Sequence, residues 1–384
     1  MNFKILLFCS IIVIFLTASN PAPPPVTGAE FNMGISQGGN YRRLEKAYNY
    51  LSRSEWPIPG ELPLMKQGDK DSSVLKLKNY LRATGDLRGN RAYFASSLFD
   101  ERLSAAVSNF QARHGLKPDG VVGKNTLEKM NIPLSYRLKQ LQANIDRLKT
   151  LPEDFGQRFI IVNIPAFFLE YYERGRVKTS MNVVVGDIEN YTPVLQDTMS
   201  YIVFNPSWNV PVSIATKELL PEAQSDAGYF EKNNYAVLKG SYTSKDTIDA
   251  RTVNWNEYSE DNFPFSIIQK PGENNALGKI KFMFPNNFDI YLHDTPSDQV
   301  FNLEKRDLSH GCVRLEKPVE LAKILLSGQM DPEEIDDLLA EEETKNIKLD
   351  NQVVVHLVYQ TAWIDEDGRL QFRDDIYEID KSAM

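Results

Sequence analysis

Cysteine and histidine are scarce in this chain of 384 residues: two cysteines, Cys9 and Cys312, and four histidines, His114, His293, His310 and His356. So few cysteines exclude a disulfide framework and a multi-cysteine metal site. Positive charge is not in excess either. Lys and Arg number 43 against 52 Asp and Glu, a formal net charge of -9. That balance argues against nucleic acid as a partner and against electrostatic binding to a membrane surface, since both need a basic face. An apolar run long enough to span a bilayer is also lacking. The run from Ile5 to Leu16, broken by Ser10, is shorter than the roughly 20 residues a transmembrane helix needs.

What that run does resemble is export machinery. Lys4 precedes it, and Thr17, Ala18, Ser19 and Asn20 follow, ahead of a proline cluster. A charged start, a short apolar stretch and a small-residue exit read as a secretory signal peptide over residues 1–19. If uncleaved, this segment would be the chain's membrane contact. Cys9 follows Phe8 rather than a small residue, so it does not read as a lipid-attachment site. Removal of the signal leaves Cys312 as the lone thiol of an exported protein. Such a thiol is either reactive or a buried small hydrophobe.

The remainder has an ordinary globular balance, 42% hydrophobic and 25% charged, with length for two or three domains. Residues 20–66 read as a linker and a short helix. Residues 67–131 read as a three-helix unit: Val74, Leu77 and Leu81, then Leu103, Ala106, Val107 and Phe110, recur at helical spacing. Asp100 is placed as an N-cap, Gly115 as the C′ residue, and His114 as an exposed helix-end residue. Residues 132–157 form an amphipathic connecting helix. From Arg158 the period changes to that of strands, and residues 158–328 read as a mainly antiparallel β domain. A polar stretch, about 217–268, interrupts it as an insertion. Residues 329–384 return as an acidic, solvated helix and strands, with His356 structural.

The chemistry gathers between His293 and Arg314. Phe288 to His293 reads as a strand with Tyr291 and His293 on one face. Ser309-His310-Gly311-Cys312-Val313-Arg314 follows. A thiol needs a base to attack as thiolate near neutral pH, and a histidine supplies one. Gly311 permits a tight turn and close approach of substrate. The N–H groups near Gly311 and Cys312 are candidates for an oxyanion cradle, and Arg314 can grip a carboxylate with two hydrogen bonds. A zinc site of His293, His310, Cys312 and Asp294 is the competing arrangement, although no second cysteine or ligand-spacing pair supports it.

Two resemblances follow from these residues. Gln111, Gly115-Leu116, Asp119-Gly120, Gly123 and Thr126-Leu127 are similar to the three-helix peptidoglycan-binding domain. His293 with Ser309-His310-Gly311-Cys312-Val313-Arg314 resembles the motif of the YkuD-type L,D-transpeptidases. Ile202 to Pro211, Asn275 to Asn286, Leu292 to Pro296 and the tail from Thr361 to Asp375 resemble the YcbB-like branch. The resemblance implies an α+β protein: a mainly antiparallel β-sandwich catalytic domain, a small three-helix domain and a capping insertion. It implies a periplasmic transpeptidase without cofactor or metal, acting on peptidoglycan stem peptides as donor and acceptor, with glycan strands held by the three-helix domain. Cys312 would be the nucleophile and His293 the base, oriented by a main-chain carbonyl, that of Asp294. His310 and Gly311 would shape the oxyanion hole, beside Ser309, and Arg314 would hold substrate carboxylate. Asp294 stands where the family often has Gly, which opens an orienting role for its carboxylate. Water or a protein lysine as acceptor, or a wall-binding protein with an inert Cys312, remain the alternatives.

Overall fold

The computed structural model describes residues 33–35, 39–244 and 246–382. The expected signal peptide, Cys9 and most of the expected linker lie outside them. Among the described residues no helix is long and apolar enough to cross a membrane. Helix α1 (Asn40–Leu51) packs with α6 (Leu134–Thr150) against the C-terminal strands.

Helices α2 (Ser73–Ala83), α3 (Arg91–Phe94), α4 (Glu101–Arg113) and α5 (Lys124–Met130) enclose a core of Val74, Leu77, Tyr80, Leu103, Val107, Phe110 and Met130. Asp100 caps α4 by accepting from the Leu103 N–H. The buried amide of Gln111 ties this unit together. Its Nε2 donates to Asp119 Oδ1 (2.8 Å), Val121 O (2.9 Å) and Thr126 Oγ1 (3.0 Å), and its Oε1 accepts from the Gly120 N–H (2.8 Å). The polar residues of the motif are thus one buried, satisfied network.

His114 departs from expectation. It is buried, its Nδ1–H donates to Phe110 O (2.7 Å), and its ring lies between Phe110 (3.9 Å) and Phe372 (5.4 Å). Its polar neighbours in the chain hid this, because the covering ring comes from a distant strand. Burial and the nearby Arg113 and Arg137 hold its pKa well below the ordinary value.

The β domain comprises β1 (Arg158–Asn163), β2 (Phe168–Glu173), β3 (Arg176–Gly186), β4 (Leu195–Phe204), β9 (Ile280–Met283), β10 (Leu292–His293), β11 (Asp307–Ser309), β12 (Val313–Leu315) and β13 (Lys345–Val358). They form one sheet in the order β11-β3-β12-β10-β9-β4-β13-β1-β2, and β2 pairs again with β3, closing it. The protein is α+β and its sheet mainly antiparallel. Three pairs, β1–β13, β10–β12 and β11–β3, run parallel. Apolar residues such as Ile160, Val183, Ile202, Phe282, Leu292 and Val355 fill the enclosed space, and α10 (Pro318–Leu325) and α11 (Pro332–Ala340) cover it.

A second sheet, β5-β8-β6-β7, is built from β5 (Trp208–Val210), β6 (Tyr235–Lys239), β7 (Thr247–Ile248) and β8 (Phe265–Gln269). With α7 (Val212–Ile214), α8 (Leu220–Ser225) and α9 (Tyr229–Lys232) it has its own core, where Phe230 and Phe265 pack on Trp255 at 4.9 and 5.3 Å. This unit begins at Trp208, ahead of the polar stretch that marks it in the sequence, because its first strand is apolar. The chain closes with the hairpin β14 (Ala362–Ile364) and β15 (Leu370–Phe372), then α12 (Ile379–Ser382).

Gln111→Ala is expected to strand the Gly120 N–H and cost about 2–3 kcal/mol. Urea unfolding of the full chain checks this, and a loss under about 0.5 kcal/mol would contradict the role given to the amide.

Candidate active site

The segment before His293 is only partly a strand. Asp289 has φ +54°, and Phe288 is exposed. Asn286 causes the break: its Oδ1 accepts from the Phe288 and Ile290 N–H groups, and its Nδ2 donates to Phe284 O and Ile290 O. Such side-chain bonding replaces the ladder with a loop. The expected strand therefore shrinks to Leu292–His293. Tyr291 and His293 still neighbour one another, with ring centroids 5.6 Å apart.

His293 lies in the middle of three strands. It is opposite Lys281 on β9 and opposite Arg314 on β12. Its Nδ1 is 2.5 Å from Asp294 O; a carbonyl only accepts, so Nδ1 carries the proton. Burial first, then the Arg314 and Lys281 charges, push its pKa down to about 3, against the opposing Asp294 bond. At neutral pH the ring is therefore uncharged, with its lone pair on Nε2. The carboxylate of Asp294 does not orient it. Asp294 Oδ2 accepts from the Lys279 N–H and Oδ1 from the Thr295 N–H, both at 2.7 Å. The orienting group is the main-chain carbonyl.

Cys312 occupies the turn between β11 and β12, one residue before the strand that pairs with His293. Ser309 braces this turn from inside: its Oγ donates to Cys312 O (2.6 Å) and accepts from the Gly311 N–H (3.2 Å). The Gly311 N–H is therefore already engaged, contrary to the oxyanion role expected of it. Gly311 itself has φ +107° and packs against Ile290, a conformation that favours glycine. Thr192 Oγ1 donates to Gly311 O (2.7 Å) and accepts from the Gly186 N–H (2.8 Å). The Tyr377 hydroxyl donates to Gly186 O (2.6 Å) and accepts from the Thr192 N–H.

The Cys312 thiol, half-buried, lies 3.8 Å from Asp289 O. Burial pushes its pKa above the ordinary 9.0; Tyr291, through main chain and side chain, and the Lys281 and Arg314 charges pull the other way. Lys281 Nζ rests 3.7 Å from the centre of the Tyr291 ring. Arg314 is half-buried, and its Nε is buried without a hydrogen-bond partner in the described structure. His310 turns outward, its Nε2–H donating to Glu218 Oε1 (2.6 Å) on the insertion. Among the described residues no group of three or more His, Cys, Asp or Glu side chains is arranged to hold a metal ion.

This arrangement coincides with known families. Residues 157–335 match the model described as the L,D-transpeptidase catalytic domain, YkuD, and residues 70–130 match the "Putative peptidoglycan binding domain". A Haemophilus influenzae protein named "Putative L,D-transpeptidase" is 37% identical over 293 residues, 73% of this chain and 58% of that protein.

Residues 157–335 are a YkuD-type L,D-transpeptidase catalytic domain.

The chain spans rather more than half of the length of that relative. Among solved structures, the L,D-transpeptidase from Xylanimonas cellulosilytica covers 78% of this chain and 100% of its own at 16% identity and a TM-score of 0.22. L,D-transpeptidase 3 from Mycobacterium tuberculosis covers 52% and 60% at 12% identity and a TM-score of 0.25. Within this domain, local sequence had marked Cys312, His293, Ser309, His310, Gly311 and Arg314. It had not singled out Lys281, Thr192, Tyr377 or Glu218. Lys281 lies in a stretch that resembles the family, but its place beside His293 comes from strand register alone.

Because burial outweighs the neighbouring cations, alkylation of Cys312 by iodoacetamide is expected to be slow at pH 7. Its rate should climb about tenfold per pH unit toward a midpoint above 9. Lys281→Met removes a charge that favours the thiolate and should move that midpoint further up. A midpoint below 7 in the unmodified protein would contradict this electrostatic account.

Proposed function

We propose that this protein is a cysteine-nucleophile acyltransferase of peptidoglycan, an L,D-transpeptidase that forms 3→3 cross-links. The observation that carries the reading is a neutral, tautomer-fixed His293 on the strand beside the turn of the Cys312 thiol. The match of residues 157–335 to the L,D-transpeptidase catalytic domain supports the substrate class. Cys312 gives its proton to His293 Nε2, and its sulfur attacks the carbonyl between diaminopimelate and D-Ala in a tetrapeptide stem. The C–N bond breaks, His293 returns the proton to the leaving amine, and a thioester remains. A side-chain amine of a second stem attacks that thioester, passes a proton to His293 and regenerates the thiol. The cycle uses no cofactor or metal.

With the Gly311 N–H held by Ser309, the oxyanion falls to the Cys312 N–H at the head of the turn. Ser309 acts by bracing that turn, and Arg314 binds a substrate carboxylate. Residues 67–131 hold glycan strands and keep the catalytic domain, residues 158–328, on its substrate. The insertion caps the site. The signal-like start supports a periplasmic location. Water or a protein lysine at the same thioester would give a carboxypeptidase or a wall-anchoring enzyme.

Incubation with a disaccharide-tetrapeptide, followed by mass spectrometry, is expected to show D-Ala release and dimer. A carbapenem is expected to leave a stable adduct on Cys312. Cys312→Ala should do none of these, and His293→Ala should lower turnover by roughly 10²- to 10⁴-fold. Equal turnover by Cys312→Ala would sink the mechanism, and D-Ala release without dimer would assign water as the acceptor.

A further inference from the structure

The insertion reaches the nucleophile turn through one carboxylate. Glu218 lies in a single π-helical turn, Ala215–Leu219, between α7 and α8. Such turns are rare and frequent at functional sites. Its Oε1 is 2.6 Å from His310 Nε2, two residues before Cys312, and both side chains are substantially exposed, at 51% and 40%. Neither is therefore committed to the core. The Glu218 charge also reaches Arg314. Lys281 and Arg314 are the cations that act on the sulfur of Cys312. The turn that carries Cys312 is thus flanked by groups of opposite sign: a carboxylate delivered by the insertion to His310 and two cations delivered by the sheet. The insertion has a core of its own, built around Trp255, so Glu218 is carried by a separately packed unit.

A site with separated charges of both signs suits a ligand that carries both. We propose that Glu218 binds the free ammonium of the donor's diamino acid while Arg314 binds the neighbouring carboxylate, so that the insertion selects donors with a zwitterionic amino-acid centre close to the scissile bond. On binding, Glu218 releases the His310 N–H and takes the ammonium, one charge-assisted hydrogen bond replacing another. Glu218 is in this account a specificity-determining residue, and it does no proton transfer. The inference rests on the reading of Cys312 as the acylated nucleophile.

The test measures acyl-enzyme formation by intact-protein mass spectrometry with two donors. One is the tetrapeptide stem with its free side-chain ammonium, and the other is the same stem with that amine acetylated. The unmodified protein should acylate roughly tenfold faster, in kcat/KM, with the free amine. Glu218→Gln should bring the two donors within about twofold of each other, while iodoacetamide alkylation of Cys312 stays within about twofold of the unmodified protein. Undiminished discrimination in Glu218→Gln would overturn the proposal. So would a parallel fall in acylation and alkylation, which would make Glu218 a brace of the turn. If neither donor acylates the unmodified protein although iodoacetamide does, the parent reading fails and this one with it.

Discussion

The close approach of Gly186 to Gly311 governs where Cys312 can be. A side-chain carbon on Gly186 would fall 2.0 Å from Asn190 O and 2.9 Å from the Gly311 Cα. The end of β3, the following loop and the Cys312 turn therefore fit together only because no side chain intervenes. Thr192 bonds both glycines, and Tyr377 bonds Gly186 and Thr192. A residue near the far end of the chain thus helps to seat Cys312. The Ser309–Cys312 turn is a product of tertiary closure, although its four residues are contiguous.

Strand register then sets the electrostatics. Lys281, His293 and Arg314 come from three separate segments and become lateral neighbours on β9, β10 and β12. Flanking cations act in opposite senses on His293 and Cys312. They disfavour a charge on His293, which leaves it a neutral base, and they favour a charge on Cys312, which offsets part of the cost of burial. The same two cations thus favour the thiolate and disfavour the imidazolium, so their effects on a Cys312-to-His293 proton transfer oppose one another. The exposed Glu218 on the insertion completes the charge pattern from the other side.

The three-helix unit shows how a motif can be read correctly and its neighbour misread. Gln111, Asp119, Gly120 and Thr126 satisfy one another within a short stretch of chain, so their spacing alone announces the turn. His114, immediately beyond, is decided by Phe372, far away in the chain. Local polarity pointed to solvent, whereas a stacked ring from the C-terminal hairpin buries it. Phe288 errs the other way: alternation pointed to a strand, and the Asn286 side chain took over the backbone donors that a strand would have used.

Much of the fold was legible in the sequence because periodicity is a local property. The helices of residues 73–130, the change to strands at Arg158 and the return of strands after the acidic helix all follow from spacings within a few residues. The candidacy of Cys312 and His293 was legible too, since both sit in short, distinctive phrases. Sheet closure, the parallel pairs and the company of Lys281, Thr192, Tyr377 and Glu218 were not. Those depend on contacts between segments far apart in the chain, and no local pattern encodes the partner. The sequence by itself determined which residues are the candidates for the chemistry. Tertiary structure alone decided their ionisation and their neighbours, because burial and strand register are properties of the closed sheet.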